Sequence, residues 1–390
     1  MQRGYNLIRE ISRDNQIHLL AFIHPEILGT PELIDESRNE LNKFCASVDY
    51  FPLWPKKSAI HKYLAFAAGF AYPYPFSALA HRSASYARRI DELVNKNSID
   101  LIHYDTIGLA PYLSRHLDIP SVITHHNIES RLMARRARVE DTALKRFYVS
   151  LQSRRLEKYE ISQSPRFKFN VMMSGTDESE LKEMAPQVRT RIVPNGVDVD
   201  YFRPEAVVQE PSLIYTGGMN MFANKDAVMH LLQDIWPAIK ESVPGVKFYA
   251  IGQDPPKELL EIGKKDPSVI VTGYVDDIRP YVARSAVYVV PLRVGGGTRL
   301  KVLDALAQGK AMVSSSVGCE GIEVTHGLNI YIEDTNEGFA SRTIELLRDE
   351  AGRKQIGEAA RTLAVEKYSW TGIGKVLQQV YEDATAEGGS

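Results

Sequence analysis

Short apolar segments alternate with segments of helical spacing along almost the whole chain. Strands that alternate with helices predict parallel sheets covered by helices on both faces. The apolar, β-branched composition of the strands is typical of central parallel strands. Helical spacing is clear at 227–240 and 298–307. The predicted strands form a first series at 17–23, 47–53, 99–104, 121–126 and 167–173, and a second at 212–217, 246–252, 268–273, 286–292 and 311–316.

The two series of strands are separated by the sequence VPNGVDVDYFRPEAVVQEPS. It contains three prolines and a Pro-Asn-Gly turn signal, and it has no apolar period, so it reads as a linker. We therefore predict an α/β protein with two doubly wound domains. The predicted parts are an N-terminal domain at 1–193, a linker at 194–212, a C-terminal domain at 213–368, and a C-terminal helix and tail at 369–390.

Composition narrows the class of protein. The 390 residues are 44% hydrophobic and 25% charged, as in a globular domain, and the net charge of -2 gives no indication of a nucleic-acid partner. The two cysteines, Cys45 and Cys319, make no disulfide framework and fit a reducing compartment. The first residues are polar and charged, and the most apolar stretch, 64–76, is too short to span a bilayer. We expect a cytoplasmic protein.

A glycine-rich loop lies between a predicted strand and a predicted helix in AVYVVPLRVGGGTRLKVLDALAQ. Ligands of parallel sheets bind at the carboxyl ends of strands, where glycines let the backbone approach and helix N-termini attract anions. Arg299 and Lys301 are unfavourable at the positive end of a helix unless an anion neutralises them. Thr298 would be an N-cap or a phosphate-bonding hydroxyl. The stretch thus predicts a phosphate or diphosphate site, and the alternative is a turn before a solvated basic helix.

This stretch, at 286–321, resembles the nucleotide-sugar site of retaining glycosyltransferases of family 4, in a branch with the motif GGGTRxK. Such enzymes have the GT-B fold, so the resemblance implies two facing Rossmann-like domains with parallel sheets and a C-terminal helix that packs back on the N-domain. The other segments that carry the resemblance are HHNIES at 125–130, VPNGVDVDYFRP at 193–204, and the stretches 215–239 and 271–292.

The resemblance also implies roles for individual residues. His126, Arg299 and Lys301 are the expected catalytic residues: the imidazole approaches the donor sugar, and the two cations stabilise the leaving diphosphate. Asp304 is expected at the ribose hydroxyls and Glu320 at a sugar hydroxyl. The remaining expected donor-binding residues are Gly217, Gly218, Gly295, Gly296, Gly297 and Thr298 at the diphosphate, and Tyr274 and Val275 at the base.

The sequence departs from the family pattern at the donor site. Gly296 stands where the first of two paired glutamates is usual, and Asp304 replaces the second with a shorter carboxylate. Met219 and Asn224 stand where the family has an arginine and a lysine. Because Arg299 and Lys301 bring two cations to the same site, we interpret this as an exchange of phosphate ligands.

The function implied by the resemblance is transfer of a hexose-type sugar from a nucleoside-diphosphate sugar to a hydroxyl of a saccharide or lipid-linked saccharide, with retention of configuration. Cations at the leaving group make a metal or other cofactor unnecessary. One alternative is a catalytically weak or inactive relative that only binds a nucleotide sugar, and a second is a sugar-nucleotide epimerase of the same architecture.

Two further features bear on partners and ligands. The segment 129–168 holds 11 Lys and Arg against 5 Asp and Glu, which predicts either peripheral contact with an anionic membrane or an ordinary solvated helix pair.

His125 and His126 are adjacent on a strand, and so point to opposite faces and make a poor metal chelate. We expect no metal there, and a structural role for His125.

The N-terminus departs from the family as well. The chain opens on a helical pattern, QRGYNLIREI, without the apolar strand and glycine-rich loop that the family has before it. A first strand would be central in a doubly wound sheet. We expect either that the sequence begins downstream of the native start, or that the N-domain sheet has a gap or rearranged edge, with low activity.

Overall fold

The computed structural model describes residues 2–24, 29–53, 68–70, 72–138, 140, 142–295 and 298–386. It divides into two compact units. Unit 1 consists of Met1–Pro194 with Gly374–Ser390, and unit 2 is Asn195–Ile373. No helix of the described part combines the length and the apolar character that a membrane span needs.

Unit 1 has parallel strands in two separate sheets within the described residues. In the four-stranded sheet, β4 (Ser121–His125) is buried along its whole length, as the apolar run at 121–126 predicts. In the two-stranded sheet, the residues of β1 (His18–Ile23) are only partly buried. The two-stranded sheet pairs β1 (His18–Ile23) with β2 (Ser47–Pro52), and the other has the order β3 (Ile102–Tyr104), β4 (Ser121–His125), β5 (Phe169–Met172) and β6 (Thr190–Ile192).

The helices of unit 1 follow from apolar spacing and capping. In α4 (Ala84–Lys96), for example, Tyr86, Ile90 and Leu93 recur on one face and are buried. The hydroxyl of the N-cap residue Ser83 accepts a hydrogen bond from the Tyr86 N–H. The helices are α1 (Gln2–Ile11), α2 (Pro31–Leu41), α3 (Phe76–Ala80), α4 (Ala84–Lys96), α5 (Glu129–Arg138), α6 (Ala143–Gln163) and α7 (Gly175–Met184), with 3₁₀ segments at Ile107–Arg115 and Ser164–Arg166.

Of the two alternatives expected for the N-terminus, the described residues show the gap in the N-domain sheet. The start of the chain forms α1 and supplies no strand, and no backbone ladder joins β1 and β2 to the four strands that follow. Of the apolar residues of α1, Leu7 and Ile11 are buried, whereas Tyr5 and Ile8 are partly buried.

Unit 2 is built on one parallel sheet. Its strands among the described residues are β7 (Glu210–Thr216), β8 (Lys247–Ile251), β9 (Val269–Gly273), β10 (Ser285–Val290), β11 (Met312–Ser314) and β12 (Tyr331–Ile332). Their order in the sheet is β12-β11-β10-β7-β8-β9. All of β10 and the last five residues of β7 are buried, which explains their continuous apolar sequence. The helices are α8 (Phe222–His230), a π segment (Leu231–Ile235), α9 (Trp236–Ser242), α10 (Lys257–Lys265), α11 (Arg279–Arg284), α12 (Leu300–Ala307), α13 (Asn336–Arg348) and α14 (Glu350–Tyr368).

The strand order of unit 2 places a switch point at its centre. The chain leaves β7 toward β8 and β9 on one side, then crosses back to β10, β11 and β12 on the other. Loops on either side of such a point diverge and leave a crevice at the carboxyl ends of the strands, where ligands bind. In unit 2 that crevice lies between the loops after β7 and β10.

The last helix, α15 (Trp370–Ala386), begins in unit 2 and belongs to unit 1 from Gly374 onward. A Cβ atom on Gly374 would lie 2.5 Å from Cβ of Glu10, so α15 and α1 are closely packed. Farther along, the Tyr381 hydroxyl lies 2.5 Å from Nδ1 of His103. These contacts confirm that the C-terminal helix packs on the N-terminal domain.

Candidate functional site

The loop after β7 presents bare backbone at the switch point. Gly217 has φ of +153°, which favours glycine, and its N–H donates to the Ile251 carbonyl at 2.9 Å. The carbonyl of Gly218 accepts a hydrogen bond from Nδ2 of Asn224 at 2.8 Å. The loop is therefore fixed by β8 on one side and by α8 on the other.

The side chain of Lys301 crosses from α12 to this loop. Its Nζ donates to the Tyr215 hydroxyl at 2.9 Å and to Oδ1 of Asn224 at 2.8 Å. The ammonium also lies 4.1 Å from the centre of the Tyr215 ring. Burial, and after it the positive charge of Arg299, lower the pKa of Lys301 to about 7. An anion bound here would favour the protonated form.

The N-terminus of α12 is open to a ligand. Arg299 is the N-cap residue, and no side chain caps the helix. The Val302 N–H donates to the Arg299 carbonyl at 2.9 Å, which leaves the amides before it for an anion. The structure corrects the expectation that Thr298 is the N-cap, because the helix begins two residues later, at Leu300. The buried Thr298 hydroxyl has no hydrogen-bond partner among the described residues, which fits its other expected role, bonding to phosphate.

The triple-glycine segment is described only at its first residue. Gly295 has φ of +142°, and a Cβ atom there would collide with the guanidinium of Arg299, so this position requires glycine while Arg299 stays in place. Gly296 and Gly297, to which we assigned contacts with the diphosphate, lie outside the described residues.

Asp304 lies one turn of α12 beyond Lys301. Its carboxylate makes no hydrogen bond or ion pair with the described part of the chain, and burial raises its pKa to about 7. A buried carboxyl group without a partner is costly and is satisfied by a hydroxyl donor. This environment suits a ligand hydroxyl such as those of a ribose.

The other expected donor residues lie on neighbouring loops at the same edge of the sheet. Tyr274 and Val275 follow β9, and Tyr274 is 70% exposed, so its ring is free to contact a ligand. Glu320 follows β11 and is partly buried. Among the described residues, no hydrogen bond or ion pair joins these three to Lys301 or Asp304.

In unit 1, the adjacent histidines have opposite environments. The predicted structural role of His125 is confirmed, because its buried imidazole bonds to Oδ1 of Asn170 at 2.9 Å and burial lowers its pKa to about 4. His126 is exposed, and its Nε2 lies 3.1 Å from Oδ1 of Asp105, which follows the neighbouring strand β3. Across the described ranges, no group of three or more His, Cys, Asp or Glu is arranged to hold a metal ion.

Sequence reasoning missed two side chains, that of Tyr215, which contacts Lys301, and that of Asp105, which lies beside His126. Tyr215 reads as a core residue of a central strand, and nothing in its spacing shows that its hydroxyl meets Lys301, 86 residues later. Asp105 gave no signal beyond its place at the end of a predicted strand. Asn224 was noted only as a departure from the family, whereas the structure makes it a ligand of the Lys301 ammonium.

Two family models match the chain. The model described as "Glycosyl transferases group 1" matches residues 210–349, and the model described as "Glycosyltransferase Family 4" matches residues 35–201. Together they fall on both structural units.

Curated relatives match at low identity. A phosphatidyl-myo-inositol mannosyltransferase of Mycobacterium tuberculosis is 26% identical over 211 residues, which are 50% of this chain and 54% of that protein. An uncharacterized 44.6 kDa protein in the cps region of Klebsiella pneumoniae is 23% identical over 179 residues, 44% of this chain and 45% of the relative. The matches therefore span about half the length of these relatives.

Solved structures match over nearly the whole chain. Anabaena Alr3699/HepE in complex with UDP superposes with a TM-score of 0.68 at 13% identity, over 98% of this chain and 97% of that one. Sucrose-phosphate synthase from Thermosynechococcus elongatus has a TM-score of 0.64 at 16% identity, over 95% of this chain and 100% of that one. These likenesses establish the GT-B fold.

Proposed function

The chain is a glycosyltransferase family 4-like protein with the GT-B fold, and from this premise we propose that it is a retaining glycosyltransferase. Its donor would be a nucleoside-diphosphate sugar, and its acceptor a hydroxyl of a saccharide or lipid-linked saccharide. The observation that carries the proposal is the meeting of Lys301 with the loop of Gly217 and Gly218, beside the uncapped end of α12.

The proposed mechanism is electrostatic. As the bond between sugar and diphosphate breaks, negative charge grows on the leaving oxygen, and preorganised positive groups lower the energy of that state. Lys301, Arg299 and the first-turn amides of α12 are such groups, and no metal is needed beside them. Because the acceptors of the Lys301 ammonium among the described residues are neutral, it can bind a diphosphate without first releasing a protein carboxylate.

The nucleoside and sugar would be held by the neighbouring loops. In this proposal, Asp304 binds the ribose hydroxyls, and Tyr274 and Val275 contact the base. Glu320 binds a sugar hydroxyl, and His126 of unit 1 approaches the donor sugar. Structural neighbours solved with UDP and with UDP-glucose support a nucleotide-sugar donor.

A basic, partly apolar surface supports a lipid-linked acceptor. Leu144 and Phe147, at the start of α6, are 64% and 61% exposed beside the exposed cations Lys145 and Arg146. Arg135, Arg136 and Arg138 lie in the last turn of α5. Cations with exposed apolar side chains favour the surface of an anionic membrane, and the mannosyltransferase relative is named for a phosphatidylinositol. We infer peripheral contact at a cytoplasmic membrane face.

The experiment that tests the function begins with binding. The melting temperature is measured with UDP-, GDP-, ADP- and dTDP-sugars, and a ligand at one hundred times its dissociation constant adds about 2.7 kcal/mol of stability. The best donor is then incubated with saccharide and lipid-linked acceptors, and the anomeric configuration of the product is read by NMR. Transfer with retention is expected.

The other outcomes identify the alternatives. Binding without turnover for any acceptor would indicate a nucleotide-sugar-binding protein. Conversion of the donor sugar without an acceptor would indicate an epimerase. An inverted product would contradict the proposed stereochemistry alone, and no stabilisation by any donor would contradict the proposal as a whole.

A further inference from the structure

Three polar groups form a closed triangle at the donor site. The Lys301 ammonium donates to the Tyr215 hydroxyl and to Oδ1 of Asn224, and the Tyr215 hydroxyl donates to the same Oδ1 at 2.7 Å. The other end of the Asn224 amide bonds to the Gly218 carbonyl. The cation is thereby tied to the backbone of the glycine loop through one side chain.

The acceptors in this triangle are both neutral. A buried ammonium is usually paired with a carboxylate, but no ion pair to Lys301 occurs within the described part of the chain. Two of its three N–H groups are used, and a Cβ atom on Gly217 would lie 2.5 Å from Nζ. The ammonium therefore abuts the bare Cα of Gly217, and its positive charge stays available to an anion.

We propose that Tyr215 and Asn224 are positioning residues that hold the Lys301 ammonium against the glycine loop in register for an oxygen of the donor diphosphate. This inference rests on the proposed function. The two neutral side chains keep the cation in place, whereas a carboxylate in their position would compete with the diphosphate. The glycine at 217 leaves the space that the ammonium of Lys301 and the amide of Asn224 occupy.

A positioning role of Tyr215 and Asn224 affects the charge of Lys301, whereas a packing role does not. Burial of the ammonium, and after it the positive charge of Arg299, lower the pKa of Lys301 to about 7, while the Tyr215 hydroxyl and the Asn224 amide oxygen accept hydrogen bonds from its charged form. Removing an acceptor lowers this pKa further, and a carboxylate in place of the amide raises it. Donor binding, which needs the ammonium, should weaken as pH rises through that pKa.

The test compares the wild type with Asn224→Ala, Asn224→Asp and Tyr215→Phe. Tyr249→Phe is the matched control, because it removes a tyrosine hydroxyl from the neighbouring strand where that group faces Glu210 and not the site. Dissociation constants for UDP-glucose, GDP-mannose and inorganic pyrophosphate are measured by calorimetry from pH 5.5 to 9, with melting temperatures to verify folding.

Asn224→Ala and Tyr215→Phe are expected to weaken binding at pH 7.5 by about tenfold, as for one hydrogen bond to a charged group. For the best nucleotide sugar, whose diphosphate does not titrate in this range, the loss of affinity should begin at lower pH in Asn224→Ala. It should begin at higher pH in Asn224→Asp, which also binds more weakly at pH 6 because its carboxylate competes with the diphosphate. Tyr249→Phe should match the wild type.

Two results would overturn the inference. One is binding by folded Asn224→Ala and Tyr215→Phe within twofold of the wild type. The other is the same pH dependence in Asn224→Ala and Asn224→Asp, since a packing role moves affinity without moving the charge of Lys301. If the wild type itself binds none of the three probes, the proposed function fails, and the inference fails with it.

Discussion

Lys301 and Arg299 are the residues on which the proposed chemistry depends most directly. Lys301→Met removes the charge and keeps much of the aliphatic stem, and Arg299→Ala removes the guanidinium. Each change should lower turnover by about 10²-fold or more, as for a lost group that stabilises developing charge. Initial rates at saturating donor provide the measurement, and near-normal rates in both variants would remove the phosphate assignment.

The stability of Lys301→Met supplies a second check without substrate. The folded-state pKa of Lys301 is about 7, below its ordinary value of 10.5, so between these values the unfolded chain binds the extra proton. Stability from this group therefore rises as pH increases from about 7 to about 10. The free energy of unfolding of the wild type, relative to Lys301→Met, should increase over that window, and a constant difference would show that Lys301 is not destabilised by burial.

Asp304 should read the ribose of the donor. Asp304→Ala is expected to weaken binding of the preferred nucleotide by about 1–3 kcal/mol, the range for a hydrogen bond that involves a charged group. A 2′-deoxyribose donor should lose a similar amount with the wild type and little more with Asp304→Ala. Equal discrimination by both proteins in calorimetry would mean that Asp304 does not contact that hydroxyl.

At the scale of elements, strands that coincide with long apolar runs were predicted well, whereas short strands at the edges of the sheets were not. The runs 17–23 and 47–53 correspond to β1 and β2 within one residue at each end. By contrast β6 has three residues and β12 has two, too few for a recognisable period. The predicted helix 227–240 is interrupted by a π segment, after which α9 begins with a proline in its first turn.

The elements of the expected donor site were predictable from the sequence, but the contacts between them were not. A strand, a glycine-rich loop and a helix predict where an anion binds, because that logic is local. The meeting of Lys301 with Tyr215 and Asn224 depends on the crossover that places β10 beside β7. Local patterns carry no information on such a register, so these partners emerge only from the fold.

We interpret Lys301 as a replacement for a cation that the family has in the loop after β7, and this can be tested by placing a lysine at position 224. Adding Asn224→Lys to Lys301→Ala places an ammonium on α8, beside Gly217, in exchange for the one on α12. At least tenfold of the lost turnover should return. Asn220→Lys in the same background is the control, because it adds equal charge to the same loop at an exposed position. Equal recovery in both would show that general charge is sufficient.

The two units differ in how completely their sheets are built. Among the described residues, unit 2 has one continuous sheet of six strands, whereas unit 1 has a two-stranded sheet apart from a four-stranded one. Two strands alone are marginally stable, and β1 is only partly buried. Native-state hydrogen exchange should therefore show less protection for amides of β1 and β2 than for those of β7 and β10. Equal protection would mean that the two-stranded sheet is as firmly held as a continuous one.

For the whole molecule, the last turn of α5 and the start of α6 form the surface at which we expect contact with an anionic membrane. Binding to liposomes should increase with the fraction of anionic lipid and fall with salt, because each cation near such a surface contributes about 1 kcal/mol and salt screens it. Leu144→Ser with Phe147→Ser should weaken binding by about tenfold or more through lost apolar burial. Phe222→Ser, which changes an equally exposed residue of unit 2, is the control and should bind as the wild type does. Liposome co-sedimentation that ignores lipid charge, salt and the paired change would identify the segment as an ordinary solvated helix pair.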